Sequence, residues 1–387
     1  MTELAFKEPH LHLPDPSILG RWWRTVDRLT LSALIMLLLI GLLIGFAASP
    51  PLAEKNGLPY FHYVIRHSVF AVMAVGVMLA LSLMPPDVVR RSGVRIFFVT
   101  FIALALLPVF GVDFGKGAVR WYSLGFTSLQ PVEFLKPVFV VTVAWLMAAS
   151  AEPHGPPGVT MSLLLAGVIA AMLALQPDFG QAMLVLAAWG VMFFVWGASV
   201  WLIVGLGGSV VGGLWFAYLN SEHVRKRIDA YWQADVDPTS QLGYATNAIL
   251  KGGLFGVGAG QGSVKWSLPD AHTDFVIAVA AEEYGLLLCL LVIGLFLFIT
   301  LRAYARLMRE RDLFARLAGT GLATLFGLQA LINVGVTIRL LPAKGMTLPF
   351  ISYGGSSMIA VALGMGMLLA LTRRRPQDHV TDMLVGR

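Results

Sequence analysis

A loop rich in titratable side chains joins an apolar segment in the stretch Leu268-Pro-Asp-Ala-His-Thr-Asp-Phe-Val-Ile-Ala-Val-Ala-Ala-Glu-Glu-Tyr-Gly285. The apolar segment continues to residue 299, which is long enough for a helix to cross the hydrocarbon core of a bilayer. His272 and Asp274 therefore lie where the polar loop meets the bilayer, and Glu282 and Glu283 follow inside the apolar segment. Because carboxylates at membrane depth are costly, their presence indicates function. We expect the chemistry of the protein at this junction.

The composition of the whole chain is that of a membrane protein. Of its 387 residues, 57% are hydrophobic and only 13% are charged, whereas a soluble domain has about 25% charged residues. The single cysteine, Cys289, excludes a disulfide within the chain and a cysteine-rich metal site. The net charge of +6 is interpreted through its position relative to the membrane. No nucleic-acid partner is predicted.

Ten segments are apolar and long enough to span a bilayer, which takes about 20 residues. They are residues 29–48, 64–84, 95–111, 132–149, 159–176, 182–198, 200–219, 275–299, 316–337 and 355–372. The sequence thus predicts an all-α, polytopic membrane protein with about ten transmembrane helices. Its predicted parts are an N-terminal tail (1–28), a membrane domain (29–372) with a long loop (220–274) between spans seven and eight, and a C-terminal tail (373–387).

Basic side chains predict the orientation of the spans. Arginines lie in the N-terminal tail, in two short loops and after the last span: Arg21, Arg24, Arg28, Arg90, Arg91, Arg95, Arg302, Arg306, Arg309, Arg311, Arg373, Arg374 and Arg375. The positive-inside rule makes that side cytoplasmic, so both tails are predicted in the cytoplasm. The loops 112–131, 220–274 and 338–354 then lie outside the cell. The two shorter outer loops, 112–131 and 338–354, also contain lysine and arginine residues, against the rule. The simplest explanation is that these side chains bind an anionic ligand.

Asp274 has two possible roles. It could be a first-turn carboxylate that favours the helix dipole of span eight, with Thr273 as a possible N-cap. It could instead be a general base whose pKa is raised by partial desolvation at the membrane surface. His272 is a rival base or a polar neighbour. Glu282 and Glu283 are interpreted as protonated or paired with another helix.

Other candidate residues come from the outer loops. Arg120 can bind a phosphate with two hydrogen bonds, and Trp121 either stacks on a sugar or anchors the chain at the interface. Glu133 and Lys136 are helical neighbours at the start of span four and are interpreted as an ion pair. The loop Leu341-Pro-Ala-Lys-Gly-Met-Thr-Leu-Pro-Phe-Ile-Ser-Tyr-Gly-Gly-Ser-Ser357 could present backbone N–H groups to an anion, or it is an ordinary re-entrant turn. The glycine-rich stretch between residues 252 and 262 indicates only tight turns.

These segments, in this order, resemble the SEDS family (shape, elongation, division and sporulation) of bacterial cell-wall glycosyltransferases. Three motifs carry the resemblance: Arg120-Trp121 followed by Gln130-Pro-Val-Glu-Phe134, Leu268-Pro-Asp-Ala-His-Thr-Asp-Phe275, and the loop that ends at Ser357. At Lys344 the sequence resembles the division branch of this family rather than its elongation branch. The chain departs from the usual family pattern at Val132, Ala245 and Asp270.

The resemblance implies a peptidoglycan polymerase that uses lipid II, a disaccharide-pentapeptide on undecaprenyl pyrophosphate. Its active site would lie on the outer face of the bacterial cytoplasmic (inner) membrane. Asp274 is implied as the catalytic base. The candidate substrate-binding residues are Arg120, Trp121, Glu133, Lys136, His272, Thr273, Arg339, Lys344, Ser352, Gly354 and Gly355.

The resemblance also implies partners. These are a class B penicillin-binding protein, which is a transpeptidase, and other membrane proteins of the division machinery. Arg120, Arg339 and Lys344 are the candidates for contact with pyrophosphate. No cofactor is firmly implied; a divalent cation (Mg²⁺ or Mn²⁺) could be bound together with the pyrophosphate, since the sequence has no metal-ligand cluster.

Two other functions stay open from the sequence alone. A transporter that flips lipid-linked precursors could use the same intramembrane carboxylates and outer cations. A non-catalytic scaffold that positions the transpeptidase is the third possibility.

Overall fold

The computed structural model describes residues 17–113, 119–125, 127–220, 240–342 and 345–373, together with residues 222, 225, 229, 231 and 238. Helices make up nearly all of the regular structure in these residues. The described strands, β1 (Tyr122–Ser123) and β2 (Ser128–Leu129), form one antiparallel hairpin. The predicted all-α fold class is confirmed.

The described helices are numbered in chain order. They are α1 (Ile18–Thr25), α2 (Arg28–Ala48), α3 (Pro50–Lys55), α4 (His62–Ser82), α5 (Pro86–Phe110), α6 (Pro131–Ala149), α7 (Gly158–Leu175), α8 (Phe179–Trp196), α9 (Val200–Asn220), α10 (Gln241–Gly252), α11 (Val276–Leu307), α12 (Leu313–Thr337) and α13 (Gly355–Leu371). A 3₁₀ turn, Val264–Trp266, precedes α11.

Nine helices in the described part of the chain are long and apolar enough to cross a membrane: α2, α4, α5, α6, α7, α8, α9, α11 and α12. A shorter apolar helix, α13, completes the set. Each of these helices overlaps one predicted span. The polytopic membrane character predicted from the sequence is confirmed.

Two helices extend well beyond the apolar segments that predicted them. α5 begins at Pro86 rather than at residue 95, and α11 ends at Leu307 rather than at residue 299. The additional turns carry arginines, including Arg90 and Arg302, which end an apolar run without ending a helix. Both arginines are paired with carboxylates, Arg90 with Asp87 at 3.1 Å and Arg302 with Asp27 at 2.7 Å.

Small residues allow the helices to pack closely. A Cβ atom added at Gly355 of α13 would lie 2.5 Å from the ring of Phe70 on α4. One added at Gly366 would lie 2.8 Å from the carbonyl oxygen of Met78 on the same helix. Because lipid chains are as apolar as the helices, van der Waals packing at such small residues stabilises helix pairs in a membrane.

The buried carboxylate of Asp27 joins the start of α2 to the end of α11. Asp27 is 2% exposed and accepts hydrogen bonds from Arg302 Nε at 2.7 Å and Nη2 at 2.8 Å. Arg306 Nε lies 2.9 Å from the same carboxylate, and the Thr30 hydroxyl donates at 2.7 Å. Burial alone would raise the pKa of Asp27, but these hydrogen bonds and the arginine charges outweigh it and lower the pKa below its ordinary value.

Replacing Asp27 with asparagine is expected to lower the free energy of unfolding by about 2 kcal/mol, because hydrogen bonds to charged groups contribute roughly 1.5–3 kcal/mol. Thermal unfolding in detergent would measure this, with Arg309→Ala, an exposed arginine near the same helix end, as the control. The stabilisation is complete above the ordinary pKa of 3.8 and is lost as the pH falls below it. Equal unfolding temperatures for Asp27→Asn and the control would contradict this role.

Candidate active site before helix α11

Asp274 lies in a turn that ends just before α11. The backbone N–H groups of Thr273 and Asp274 both donate to the carbonyl oxygen of Asp270, at 3.0 and 3.1 Å. Phe275 is the N-cap residue of α11, and the Thr273 hydroxyl donates to the carbonyl of Asp270 at 3.2 Å. The prediction that Thr273 caps this helix is therefore wrong, because the turn continues past it. Asp274 precedes the helix rather than lying in its first turn, and its side chain is half-buried.

The backbone around Asp274 is held by Asn333 of α12. The amide nitrogen of Asn333 donates to the carbonyl of Asp274 at 3.0 Å and to the carbonyl of Met346 at 2.6 Å. One buried amide thus joins the Asp274 turn to the loop that precedes α13. In that loop, a Cβ atom at Gly345 would lie 3.1 Å from Asp274 Oδ2, so the backbone passes directly beside the carboxylate.

Ser352 fastens the same two segments together. Its hydroxyl donates to the carbonyl of Thr273 at 2.5 Å and accepts from the N–H of Leu348 at 2.8 Å. The next residue, Tyr353, donates its backbone N–H to the carbonyl of His272 at 2.9 Å. The structure therefore brings the two most specific sequence motifs together and fixes the main chain on both sides of Asp274.

Aromatic and basic side chains of α4 face this junction. The His272 ring lies 5.8 Å from the ring of Tyr353 and 6.4 Å from that of Tyr63, between centroids. Tyr353 also stacks on His67 at 5.9 Å. Burial raises the pKa of the Tyr353 hydroxyl, and the positive charge of Arg66 opposes that shift. Aromatic rings therefore line this side of the site, and the positive charge of Arg66 lies near them.

Sequence reasoning missed Tyr63, Arg66, His67 and Tyr353 as site residues. A signal for two of them was present, because Arg66 and His67 fall within the apolar segment 64–84. Ionisable side chains inside a span usually face the interior of the bundle and have a function. Only the folded structure places Tyr63 and Tyr353 beside His272 and stacks His67 on Tyr353.

Glu133 and Lys136 form a buried ion pair, as predicted, with Nζ and Oε2 3.0 Å apart. Each is 3% exposed. Glu133 also accepts from Gln181 Nε2 at 2.9 Å and from the Ser357 hydroxyl at 3.2 Å, while Lys136 donates to Gln329 Oε1 at 2.9 Å. The pair therefore joins α6 to α8, α12 and α13.

This buried network reaches the loop beside Asp274. Gln329 donates its Nε2 to the carbonyl of Thr347 at 2.9 Å, and the hydroxyls of Thr347 and Ser357 lie 2.7 Å apart. Thr347 follows Met346, which is bonded to Asn333. The ion pair is thus connected to the same loop that flanks the Asp274 carboxylate.

Arg120 contacts the turn before α8. Its Nε donates to the carbonyl of Gln176 at 3.1 Å and its Nη2 to the carbonyl of Pro177 at 2.8 Å. The next residue, Asp178, is the N-cap residue of α8. Burial raises the pKa of Asp178, and the charge of Arg120 opposes the shift. A guanidinium has five N–H donors, and two of those of Arg120 serve to fix this turn.

The remaining predicted site residues lie around the same end of the bundle. Trp121 is half-buried beside β1, and Arg339 is half-buried just beyond α12. Gly354 is the N-cap residue of α13 and Gly355 is its first residue. Lys344 lies outside the described residues.

Metal ligands are not grouped in the described part of the chain. No cluster of three or more histidine, cysteine, aspartate or glutamate side chains that could hold an ion is found there.

A model of one protein family matches residues 27–377; its description is cell cycle protein, FtsW, RodA and SpoVE. A protein of Caulobacter vibrioides named probable peptidoglycan glycosyltransferase FtsW is 42% identical, over 94% of this chain and 93% of that protein. A protein of the same name from Coxiella burnetii is 35% identical, over 87% of this chain and 93% of its own length.

Solved structures with the same fold include two membrane proteins. One is the rod shape determining protein RodA of Thermus thermophilus, with a TM-score of 0.64 and 25% identity. The other belongs to a peptidoglycan synthase complex that coordinates polymerization and crosslinking, with a TM-score of 0.74 and 26% identity. Each alignment covers 90% of this chain and 97% of the other.

Proposed function

Because the chain belongs to the FtsW, RodA and SpoVE family of cell cycle proteins, we infer that it is a peptidoglycan glycosyltransferase. It is an integral protein of the inner membrane, and the FtsW name of its relatives fits a role in cell division. Its substrate is then lipid II, and its product is a glycan strand. A RodA-like role in elongation is the alternative within the family.

The reaction transfers a growing glycan from one lipid carrier to the sugar of another. The 4-hydroxyl of the acceptor sugar attacks the anomeric carbon of the donor, the bond to undecaprenyl pyrophosphate breaks, and an α linkage becomes a β linkage. Asp274 takes the proton of the attacking hydroxyl as general base. Pyrophosphate leaves without protonation, so it needs cations rather than a general acid. One carboxylate therefore suffices, unlike the two of an inverting glycosidase.

The single observation that carries this proposal is the way in which Asp274 is held. Hydrogen bonds from Asn333 and within the turn fix its main chain, and the backbone of Gly345 passes beside its half-buried carboxylate. Such an arrangement keeps a base in one position for an incoming hydroxyl. His272, Tyr63 and Tyr353 supply aromatic faces suited to contact with a sugar, and Arg339, Lys344 and Arg120 stay the candidates for pyrophosphate.

The orientation in the membrane is part of the proposal. Asp274 precedes α11 and Arg302 lies near its other end, beyond the non-helical Gly285; the continuous helix after Gly285, residues 286–307, would extend about 33 Å if straight. The arginine-rich end supports a cytoplasmic position for both termini. Asp274 then faces the exterior, where lipid II is polymerised.

A class B penicillin-binding protein is the proposed partner, and other division proteins of the membrane are expected to bind as well. The similarity to a chain from a synthase complex that coordinates polymerization and crosslinking supports the transpeptidase.

A lipid II flippase is the second candidate, since the buried Glu133–Lys136 pair lies within the helix bundle and transporters use such residues. The decisive experiment supplies lipid II only to the outer leaflet of vesicles that contain the protein and its transpeptidase. We expect glycan strands on a gel, with protein-free vesicles as the control. Movement of lipid II between leaflets without any polymer would overturn the glycosyltransferase.

A further inference from the structure

Helix α11 is broken at Gly285, which has φ 80° and ψ −179°. In an unbroken helix, the carbonyls of residues 282 and 283 would accept from the N–H groups of residues 286 and 287. The break leaves these four backbone groups without their usual partners. In a membrane each unpaired group costs several kcal/mol, so other partners are needed.

A segment of the glycine-rich loop, residues 253–258, is inserted into this break. Val257 N donates to the carbonyl of Glu282 at 2.9 Å, and Gly258 N donates to that of Glu283 at 3.1 Å. On the other side of the break, Leu286 N donates to the carbonyl of Gly253 at 3.0 Å and Leu287 N to that of Leu254 at 3.3 Å. All four freed groups are therefore paired with the loop.

Glycine is required where the loop crosses the helix. Gly256 has φ +81°, and a Cβ atom there would lie 2.2 Å from the carbonyl oxygen of Glu283. A Cβ atom at Gly285 would lie 2.3 Å from the carbonyl oxygen of Leu254. The sequence indicated little beyond tight turns in this glycine-rich stretch, and the structure shows that its backbone also replaces hydrogen bonds of α11.

The side chains of Glu282 and Glu283 accept hydrogen bonds from the continuation of the same loop, residues 260–265. Glu283 is 1% exposed and accepts from Lys265 Nζ at 2.5 Å and from Gly260 N at 2.9 Å. Glu282 is fully buried and accepts from Ser263 N at 2.9 Å and from Val264 N at 3.1 Å. Both carboxylates are thus paired with the loop.

The part of α11 before the break at Gly285, residues 276–284, is also packed against α10 at its N-terminal end. Phe275, Ala278 and Val279 share a buried cluster with Ala245 and Ala248. Residues 276–284 are therefore held by both the loop and α10, and Asp274 lies two residues before their first residue.

We propose that this inserted loop positions the catalytic base, with Glu282 and Glu283 as positioning residues that act through residues 276–284 on Asp274. The proposal rests on the role of Asp274 under the proposed function. A buried ion pair is seldom worth more to stability than apolar residues of the same size. The Glu283–Lys265 pair is therefore explained better by its effect on the position of the loop, which it fixes in one arrangement on the helix, than by a gain in stability.

The first test separates turnover from substrate binding. Glu283→Gln is expected to lower kcat for lipid II polymerisation by about tenfold to hundredfold, because small misplacements of a catalytic group have effects of that order. KM is expected to change less than about twofold, since Glu283 does not touch substrate. Glu283→Asp, which keeps a carboxylate that can accept from Lys265 and Gly260, should retain more of kcat than Glu283→Gln. An unchanged kcat, or a raised KM at constant kcat, would overturn the proposal.

The second test asks whether the loop stays in the break during catalysis. Leu254 and Leu287 are both exposed and adjacent through a main-chain hydrogen bond. In a Cys289→Ser background, Leu254→Cys with Leu287→Cys should form a disulfide, and oxidised and reduced protein should polymerise lipid II at the same rate. Loss of activity on oxidation with recovery on reduction would show that the loop must leave the break. Failure to cross-link both by oxidation and with a flexible bis-maleimide, which tolerates a wider range of geometries than a disulfide, would contradict the insertion itself.

One further variant separates this proposal from the proposed function. Asp274→Ala in the same double-cysteine background is expected to be inactive in both redox states. If it polymerises lipid II, Asp274 is not the base and the proposed mechanism fails, although the cross-link would still report whether the loop is inserted.

Discussion

Replacing Asp274 with asparagine is expected to abolish polymerisation of lipid II while leaving the protein folded. Loss of a general base costs roughly 10²–10⁴ in rate, which would bring strand synthesis below detection in a gel assay. The described hydrogen bonds that hold this residue use its backbone N–H and carbonyl, with Asp270 and Asn333 as partners. An amide side chain of nearly the same shape leaves these bonds in place.

The purified variant should be compared with Glu54→Gln, which neutralises an exposed carboxylate in α3. Both should have wild-type unfolding temperatures, and only the Asp274 variant should lose activity. Substantial polymer from Asp274→Asn would remove this carboxylate as the base and direct attention to His272.

Replacing Lys136 with methionine is expected to destabilise the protein by about 3–5 kcal/mol, because it leaves the Glu133 carboxylate buried without its cation. It also removes the hydrogen bond to Gln329, whose amide holds Thr347 in the loop beside Asp274. We therefore expect polymerisation to fall together with stability. Thermal unfolding in detergent and the rate of strand synthesis measure the two effects.

A double variant tests the physical reason. Glu133→Gln with Lys136→Met removes both charges, and neutral replacement of a buried pair is often tolerated. Its unfolding temperature should therefore lie well above that of Lys136→Met alone, which gives a favourable coupling between the two substitutions. A single Lys136→Met protein as stable as the wild type would show that the buried charge of Glu133 does not need this partner.

Apolar length alone made the membrane helices predictable. A helix must satisfy all of its backbone groups in lipid, so each long apolar segment corresponds to a described helix. Boundaries were less predictable where arginines extend a helix beyond its apolar part, as at Arg90 in α5 and Arg302 in α11. Hydropathy also does not reveal the break at Gly285, because a single glycine does not end an apolar segment.

The site was only partly visible in the sequence. Asp274 and Ser352 stand in unusual motifs, but no local pattern indicated that the Ser352 hydroxyl binds the carbonyl of Thr273. The ion pair of Glu133 and Lys136 followed from helical spacing, since residues three apart are neighbours. Its further partners, Gln181 and Gln329, lie on other helices and have no such signal.

By itself, the sequence determined that the chain is helical and that it crosses a membrane several times, because these follow from the cost of polar groups in lipid. It also predicted that the chemistry centres on the segment before α11. The tertiary structure decided which distant segments meet there. Tyr63 reaches His272 only because α4 packs against α13 and the loop before it. The glycine-rich loop enters the break at Gly285 only because four backbone groups of α11 need partners. Such contacts depend on how separate helices pack, and this is not encoded in any one stretch of residues.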